Sequence, residues 1–244
     1  MKDIFAVAEH YKDWGDTPHI KCHIRNGETQ LRSFLQKLYH DDARGIFILW
    51  TKQDKYTYAI DVTQRDEIVD KAIFLARIKD VYFGVGLQKE IPVKGHRGTA
   101  ETVSLLPAFW MDIDVKGPHH KNAKLPNLAR DASNFLNELE IKPSMVINTG
   151  GGVHAYWLFN EPHHISSSNH YKHLEEASKS FQKFIIAEGR KKGWELDDTS
   201  DLARLLRMPG TWNWKTIPPK PVYFLEPEDE NIYTREPRSI FDIF

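Results

Sequence analysis

The sequence predicts a mixed α/β (α+β) fold in which a small β-sheet is backed by helices. Residues 106–225 alternate between the spacing of strands and the spacing of helices, in the order strand, helix, strand, strand, helix. Residues 1–105 also mix the two patterns, and 244 residues are enough for one large two-lobed domain. We therefore expect a single domain over 1–244, with an N-terminal α/β lobe over about 1–105, a second subdomain over 106–225 and a tail over 226–244.

The N-terminal lobe is predicted from short apolar runs and one helical pattern. Residues 1–45 are typical of helices and loops. Runs rich in β-branched and aromatic residues follow, and they favour strands. The predicted order is strand, strand, helix, strand and polar loop, at 45–50, 56–60, 64–78, 81–86 and 94–99.

The next strand carries two carboxylates at its end. Alternation along it places Asp112 and Asp114 on one face, and the opposite face receives Phe109, Met111, Ile113 and Val115. The same Asp-x-Asp spacing occurs in sugar-nucleotide transferases, in calcium loops and on solvated strand faces. Two charges at the end of an apolar strand are costly to desolvate unless a cation compensates them. We therefore favour a site for Mg²⁺ or Mn²⁺, which prefer carboxylate oxygens.

Two helices are predicted in the second subdomain. Apolar residues at helical spacing run from Leu125 to Leu139 and from Tyr171 to Ile185, and Ser166, Ser167 and Ser168 are candidate caps for the second helix. We interpret both apolar stripes as core.

A glycine hairpin is predicted between these helices. Residues 144–148 and 153–159 read as its strands, joined by three glycines, and His154 lies on the face opposite Val153. Backbone N–H groups at Gly152 and the imidazole of His154 suit a phosphate. A hairpin with a buried, satisfied histidine explains the motif alone equally well. The spacing to the aspartates favours the phosphate site.

The segment 194–215 combines acidic residues with a predicted short helix that Pro209 must end. Asp201 is expected to cap that helix, which leaves Asp197 as the better third metal ligand. The hydrogen-bond donors around the helix end are expected to hold a triphosphate; they are Arg207, Asn213 and Lys215. The alternative for each of them is an ordinary solvated loop residue. For Arg204 we favour the solvated alternative.

Together these motifs resemble the catalytic core of the archaeo-eukaryotic primase superfamily, in particular the primase-polymerases of phages, plasmids and related mobile or defence systems. The resemblance covers residues 80–225. The family's Asp-x-Asp, small-x-His and hydrophobic-Asp motifs are matched by Asp112 and Asp114, by Gly152-Val153-His154 and by Leu196-Asp197. Residues 201–215 resemble the family's arginine-proline-glycine-threonine-asparagine-lysine segment, which is the most family-specific match. Gly152 stands where the family often has serine, so backbone N–H groups would serve in place of a hydroxyl.

The resemblance implies a fold, an activity and a set of site residues. It implies an RNA-recognition-motif-like catalytic subdomain and a DNA primase/DNA polymerase that transfers nucleotides by a two-metal mechanism. Two divalent ions, Mg²⁺ or Mn²⁺, would be bound by Asp112, Asp114 and Asp197. Nucleotide binding is expected from His154, Gly152, Arg207, Asn213, Lys215 and Arg97. Implied partners are a single-stranded DNA template and primer, nucleoside triphosphates, and a helicase or accessory primase domain.

Composition limits the remaining possibilities. A net charge of −1 argues against a wholly positive surface, so a basic groove for nucleic acid must be local. The favoured cluster for this groove is Lys116, His119, His120, Lys121 and Lys124, and the second candidate cluster is Arg190, Lys191 and Lys192. The single cysteine, Cys22, excludes an internal disulfide and fits a reducing cytoplasm. His19, Cys22 and His23 are too few for a structural zinc site. No apolar run suits a membrane span, so we expect a cytoplasmic protein.

Two other functions stay open. A non-catalytic module that binds single-stranded nucleic acid would explain the aromatic residues, but it would not explain three carboxylates. A metal-dependent nuclease or replication-initiator nickase is suggested by the double histidines at 119–120 and 163–164. A relaxase-like nickase needs two histidines that flank one hydrophobic residue, and neither pair has that spacing.

Overall fold

The computed structural model describes residues 18–93, 96–118 and 122–225. Within these ranges the fold is mixed α/β, as predicted, with a large antiparallel sheet and four α-helices. In chain order the elements are α1 (Pro18–Leu38), β1 (Ile46–Thr51), β2 (Tyr56–Asp61), α2 (Arg65–Ala76), β3 (Val81–Gly84), β4 (Leu87–Gln88), β5 (Val103–Asp114), α3 (Ala129–Glu138), β6 (Met145–Asn148), β7 (Gly152–His164), α4 (Ser168–Lys191), β8 (Leu205–Arg207), β9 (Trp212–Asn213), β10 (Lys220–Pro221) and β11 (Tyr223–Phe224).

Nine strands of the described chain form one sheet in the order β11-β6-β7-β5-β4-β1-β3-β8, with β2 paired to the other side of β1. The two halves of the sequence meet where β4 pairs with β5, with Leu87 opposite Leu105. Strand β8 comes late in the chain but pairs with β3 from the N-terminal half. This return brings side chains of residues 204–215 towards the end of β5.

The core lies on both sides of the sheet. On the side of α1, Phe34 makes edge contacts with Phe83 of β3 and Tyr156 of β7, at ring distances of 5.2 and 5.5 Å. On the side of α4, the ring of Phe181 lies 4.8 Å from Trp157 of β7. Helix α4 therefore covers the face of β5 and β7 that carries Phe109 and Trp157. The opposite face carries the buried Tyr156 and, further along β7, His154.

Most predicted elements are confirmed within a few residues, and α4 begins as expected, because the Ser167 hydroxyl accepts a hydrogen bond from the His170 N–H at 3.2 Å. The predicted helix at 201–208 is wrong. Residues 205–207 form β8 instead, since pairing with β3 buries Leu206 in the core. Asp201 therefore caps no helix. Its carboxylate accepts a hydrogen bond from the Ala203 N–H at 3.0 Å, in a local turn.

Several expectations lie outside the described residues. They concern the N-terminal segment up to residue 17, the side chains of His19, Cys22 and His23, the pair His119 and His120 with Lys121, and the tail after residue 225. Among the helices in the described ranges, none combines the length and the apolar character that a membrane span requires.

Candidate active site

Asp112 and Asp114 lie at the end of β5, directly opposite the start of β7. Asp112 is paired with His154 and Asp114 with Gly152. Residues directly opposite each other in an antiparallel pair project to the same side of the sheet. The register therefore confirms that both carboxylates and His154 share one face. The Nε2 atom of His154 lies 3.5 Å from Oδ1 of Asp112.

The imidazole of His154 is buried and electrically neutral. Burial lowers its pKa to about 3, and the nearby cations Arg207 and Arg204 act in the same direction. At neutral pH its contact with Asp112 is therefore not an ion pair. Within the described residues, Nδ1 of His154 is buried without a hydrogen-bond partner. A hydrogen bond between the ring and the Arg207 backbone raises the pKa and so opposes part of the effect of burial.

The glycine turn allows β7 to approach β5 closely. A Cβ atom at Gly152 would lie 2.2 Å from the Ile113 carbonyl oxygen, so a side chain cannot fit here without moving the backbone. The N–H groups of Gly150 and Gly151 already donate to Asn148 Oδ1 at 2.8 Å and to Thr149 Oγ1 at 3.3 Å. The N–H groups of Gly150 and Gly151 are thus used within the turn. At position 152 this chain has no room for the Cβ atom of a serine, which explains the glycine there.

Asn213 braces this turn from the side. Its Nδ2 donates to the Thr149 carbonyl at 2.8 Å, and its Oδ1 accepts from the Lys215 N–H at 3.1 Å. The side chain is buried. Both ends of its amide are therefore engaged by the backbone, and Asn213 connects the glycine turn to the segment that carries Lys215.

Arg207 is held by a buried carboxylate that the sequence analysis missed. Its Nη1 donates to Oδ1 of Asp80, and the exposures of the two side chains are only 5% and 3%. Asp80 Oδ1 also accepts from the Trp214 N–H at 3.0 Å, and its Oδ2 accepts from Gln53 Nε2 at 2.7 Å. Within the described part of the chain, Nη2 of Arg207 is buried without a hydrogen-bond partner. Asp80 therefore fixes one arm of the guanidinium and leaves the other unsatisfied.

Two further cations face the aspartates. Nη2 of Arg204 lies 3.8 Å from Oδ2 of Asp112, so the solvated-loop interpretation of Arg204 is wrong. Arg204 directly precedes β8, in the segment for which a helix was predicted. Partial burial lowers the pKa of Lys215, and Arg207 and Lys52 lower it further, whereas Asp114 and Asp112 raise it. Lys215 thus lies within electrostatic reach of both carboxylates.

Asp197 lines the same cleft as the two aspartates of β5. The cleft is lined by Asp112, Asp114, Leu125, Leu196, Asp197, Thr199 and Arg204. No three His, Cys, Asp or Glu side chains of the described ranges are close enough to hold a metal ion as they stand. The chemistry of the three carboxylates nevertheless fits a hard divalent cation.

A buried polar network fixes the segment that follows Asp197. Gln182 of α4 accepts from the Thr199 N–H at 2.6 Å and donates to the Trp110 carbonyl at 2.9 Å. The indole N–H of Trp110 donates in turn to the Thr199 carbonyl at 2.9 Å. This network ties the Asp197 segment to β5, two residues before Asp112.

The remaining basic candidates lie elsewhere. The Arg97 guanidinium lies 5.6 Å from the Trp50 ring centre, and Arg97 does not belong to the lining of the carboxylate cleft. Lys124 pairs with Glu195 at 2.6 Å, and Lys192 pairs with Glu138 at 2.6 Å. These pairs offset part of the positive charge that the sequence suggested for a basic groove.

Comparison with solved structures finds similarity at low sequence identity. The AEP domain of the primase-polymerase of cyanophage S-2L matches with a TM-score of 0.55 and 17% identity, over 88% of this chain and 95% of that one. The primase RepB′ matches with a TM-score of 0.45 and 11% identity, over 80% of this chain and 56% of that one. The catalytic domain of RepB′ in complex with initiator DNA matches with the same TM-score and identity, over 81% of this chain and 85% of that one. No protein-family model and no curated protein matches the sequence. The chain shares the fold of the AEP domain of the cyanophage primase-polymerase.

Proposed function

We propose that this chain is a template-directed nucleotidyltransferase, a DNA primase-polymerase that makes or extends primers from nucleoside triphosphates. One observation carries the proposal. Asp112 and Asp114 share a sheet face with His154 and a cleft with Asp197, and cations approach this cleft from β8 and from the segment after it. Carboxylates beside cationic donors suit a reaction in which a triphosphate is held and its charge neutralised. The fold agrees with this activity, although a fold alone does not establish it.

Asp112, Asp114 and Asp197 are the residues that would hold two Mg²⁺ or Mn²⁺ ions. Bound there, the ions would lower the pKa of the attacking 3′-hydroxyl and supply positive charge for the triphosphate and the leaving pyrophosphate. Nη2 of Arg204 lies 3.8 Å from Oδ2 of Asp112, so it offsets part of the charge of this carboxylate. We expect Arg204 to exchange that contact for a phosphate oxygen when the site is loaded.

The protein's own cations position the triphosphate. Arg207 has one arm bound to Asp80, and we assign its other arm to a phosphate oxygen. Lys215 adds a positive charge to the site. Its backbone N–H is held by the side chain of Asn213. His154, neutral because it is buried, donates a hydrogen bond without adding charge. None of these roles needs a covalent protein intermediate.

The proposed substrates are a primed or unprimed single-stranded DNA template and nucleoside triphosphates. A helicase or accessory primase domain as partner, and a cytoplasmic location, belong to the same proposal. They follow from the resemblance of the motifs and await their own tests.

An incubation with template, primer, labelled nucleotides and Mn²⁺ or Mg²⁺ tests the proposal against its alternatives. We expect labelled products longer than the primer, with a length limited by the template. Shortened or nicked DNA would assign a nuclease instead. Retention of the DNA with neither extension nor cleavage would assign a binding module. Parallel reactions with ribonucleotides and with deoxyribonucleotides identify the preferred substrate.

A further inference from the structure

One row of side chains crosses four strands on the N-terminal half of the sheet. Thr57 of β2 lies opposite Trp50 of β1, Trp50 opposite Tyr82 of β3, and Tyr82 opposite Arg207 of β8. Directly paired residues project to one side, so these four share a face. The residues adjacent to Trp50 and Tyr82 in sequence, Leu49 and Phe83, project the other way into the core.

Two adjacent aromatic rings of this row are flanked by a cation at each end. The Arg97 guanidinium lies 5.6 Å from the Trp50 ring, the rings of Trp50 and Tyr82 are 5.6 Å apart, and the Arg207 guanidinium lies 4.7 Å from the Tyr82 ring. Trp50 and Tyr82 are both partly exposed, and Arg97 is exposed. The row therefore leads from an open loop to the guanidinium that we assign to the triphosphate.

We propose that Arg97, Trp50 and Tyr82 form a binding site for unpaired bases of a single-stranded DNA. Aromatic faces stack on any base, and neighbouring cations attract the phosphates. The inference rests on the proposed function, because it identifies the path of the DNA strand into that site. We name these three residues the stacking row.

The length of the stacking row favours a strand over a single nucleotide. Trp50 and Arg207 are separated by two strand spacings, about 10 Å, whereas one stacked nucleotide occupies about 3.4 Å. More than one base therefore fits between Arg97 and the carboxylate cleft. The incoming nucleotide has the same chemistry, but its triphosphate is expected at Arg207 and Lys215, and Arg97 lies outside the lining of that cleft.

Equilibrium binding without metal or nucleotide tests this inference. The probes are a fluorescein-labelled oligothymidine of about 20 nucleotides and an abasic oligomer of equal length, which keeps the phosphates and removes the bases. We expect Trp50→Ala to weaken oligothymidine binding about tenfold and to leave abasic binding unchanged. Trp50→Phe, which keeps an aromatic face, should recover most of the affinity.

Tyr56→Ala is the matched control. Tyr56 is an aromatic residue of the same sheet with 48% exposure, but it lies opposite Thr51 and so projects to the other face. Its loss should leave both affinities unchanged. Circular dichroism and thermal unfolding establish that each variant is folded. If Trp50→Ala does not fold, Trp50→Leu replaces it, because it keeps apolar volume without an aromatic face, and it should reduce the preference for oligothymidine over the abasic oligomer.

Three results would overturn the stacking row. Folded Trp50→Ala could bind oligothymidine like the wild type, it could lose both oligomers equally, or it could change only the nucleotide KM in an extension assay. An unchanged preference in folded Trp50→Leu would also count against it. Base-dependent binding by a wild-type protein that never extends a primer would contradict the proposed function and leave the stacking row standing.

Discussion

At the scale of single residues, the site depends on a few buried polar contacts. Alternation along β5 predicted that Asp112 and Asp114 share a face, because this follows from their own strand. That His154 lies on the same face depends on the pairing of β5 with β7. Alternation could not predict Asp80, a lone acidic residue in a polar turn, whose role arises only when β8 returns to β3. Arg204 was misjudged for the same reason. Local patterns identify candidates, and tertiary pairing decides which of them meet.

Asp80→Asn should lower stability and also impair nucleotide binding. Removal of one partner of a buried ion pair leaves the other charge uncompensated, so we expect a loss of about 3 kcal/mol in the free energy of unfolding, measured with urea. Because Arg207 would lose its orientation, the nucleotide KM should rise in the folded variant.

Asp54→Asn is the control for Asp80→Asn. Asp54 pairs with Lys79 at 2.6 Å, but its side chain is 42% exposed. Exposed pairs contribute about 1 kcal/mol or less, so this change should be mild and should leave the nucleotide KM unaltered. Equal effects of the two variants would show that Asp80 has no special role.

At the scale of elements, long patterns were predicted well and short ones were not. The strands β5 and β7 and the helix α4 extend over enough residues for their period to be recognised. Strand β8 has only three residues, Leu205–Arg207, and its leucines between arginines imitate a helical stripe. Its identity is set by its partner β3. A segment this short is defined by the hydrogen bonds that a neighbour offers.

Gly152→Ala tests the close approach of β7 to β5. The added methyl group would lie 2.2 Å from the Ile113 carbonyl oxygen. We expect a loss of about 1–3 kcal/mol in the free energy of unfolding, together with reduced extension, because the pairing that aligns Asp114 is disturbed. Gly117→Ala is the control, since its nearest neighbour would be 4.0 Å away. Its stability should stay within about 0.5 kcal/mol of the wild type, and an equal loss would refute the steric argument.

Gln182→Leu tests the network that fixes the segment after Asp197. The change leaves the Thr199 N–H and the Trp110 carbonyl without their partner, which should lower the free energy of unfolding by about 1–3 kcal/mol. If this segment positions Asp197, the Mn²⁺ concentration for half-maximal extension should also rise. Lys183→Leu, at an exposed position of the same helix, should do neither. Lower stability with an unchanged Mn²⁺ requirement would limit Gln182 to a structural role.

At the scale of the whole molecule, one continuous sheet brings distant parts of the chain together. The predicted boundary near residue 105 falls within β5, which begins at Val103. The pairs β4–β5 and β3–β8 both cross that boundary. A site that combines carboxylates of β5 with cations of residues 204–215 therefore depends on pairings between the two halves. The sequence predicted both groups of residues, but only the strand pairing shows that they lie close together.

The most direct test of the proposed function is primer extension by carboxylate variants that remain folded and still bind DNA. We predict that Asp112→Asn, Asp114→Asn and Asp197→Asn each abolish extension while circular dichroism and affinity for oligothymidine stay close to the wild type. Asp201→Asn, an exposed acidic residue close in sequence to Asp197, should keep its activity. Near-normal extension by folded Asp112→Asn or Asp114→Asn would contradict the account.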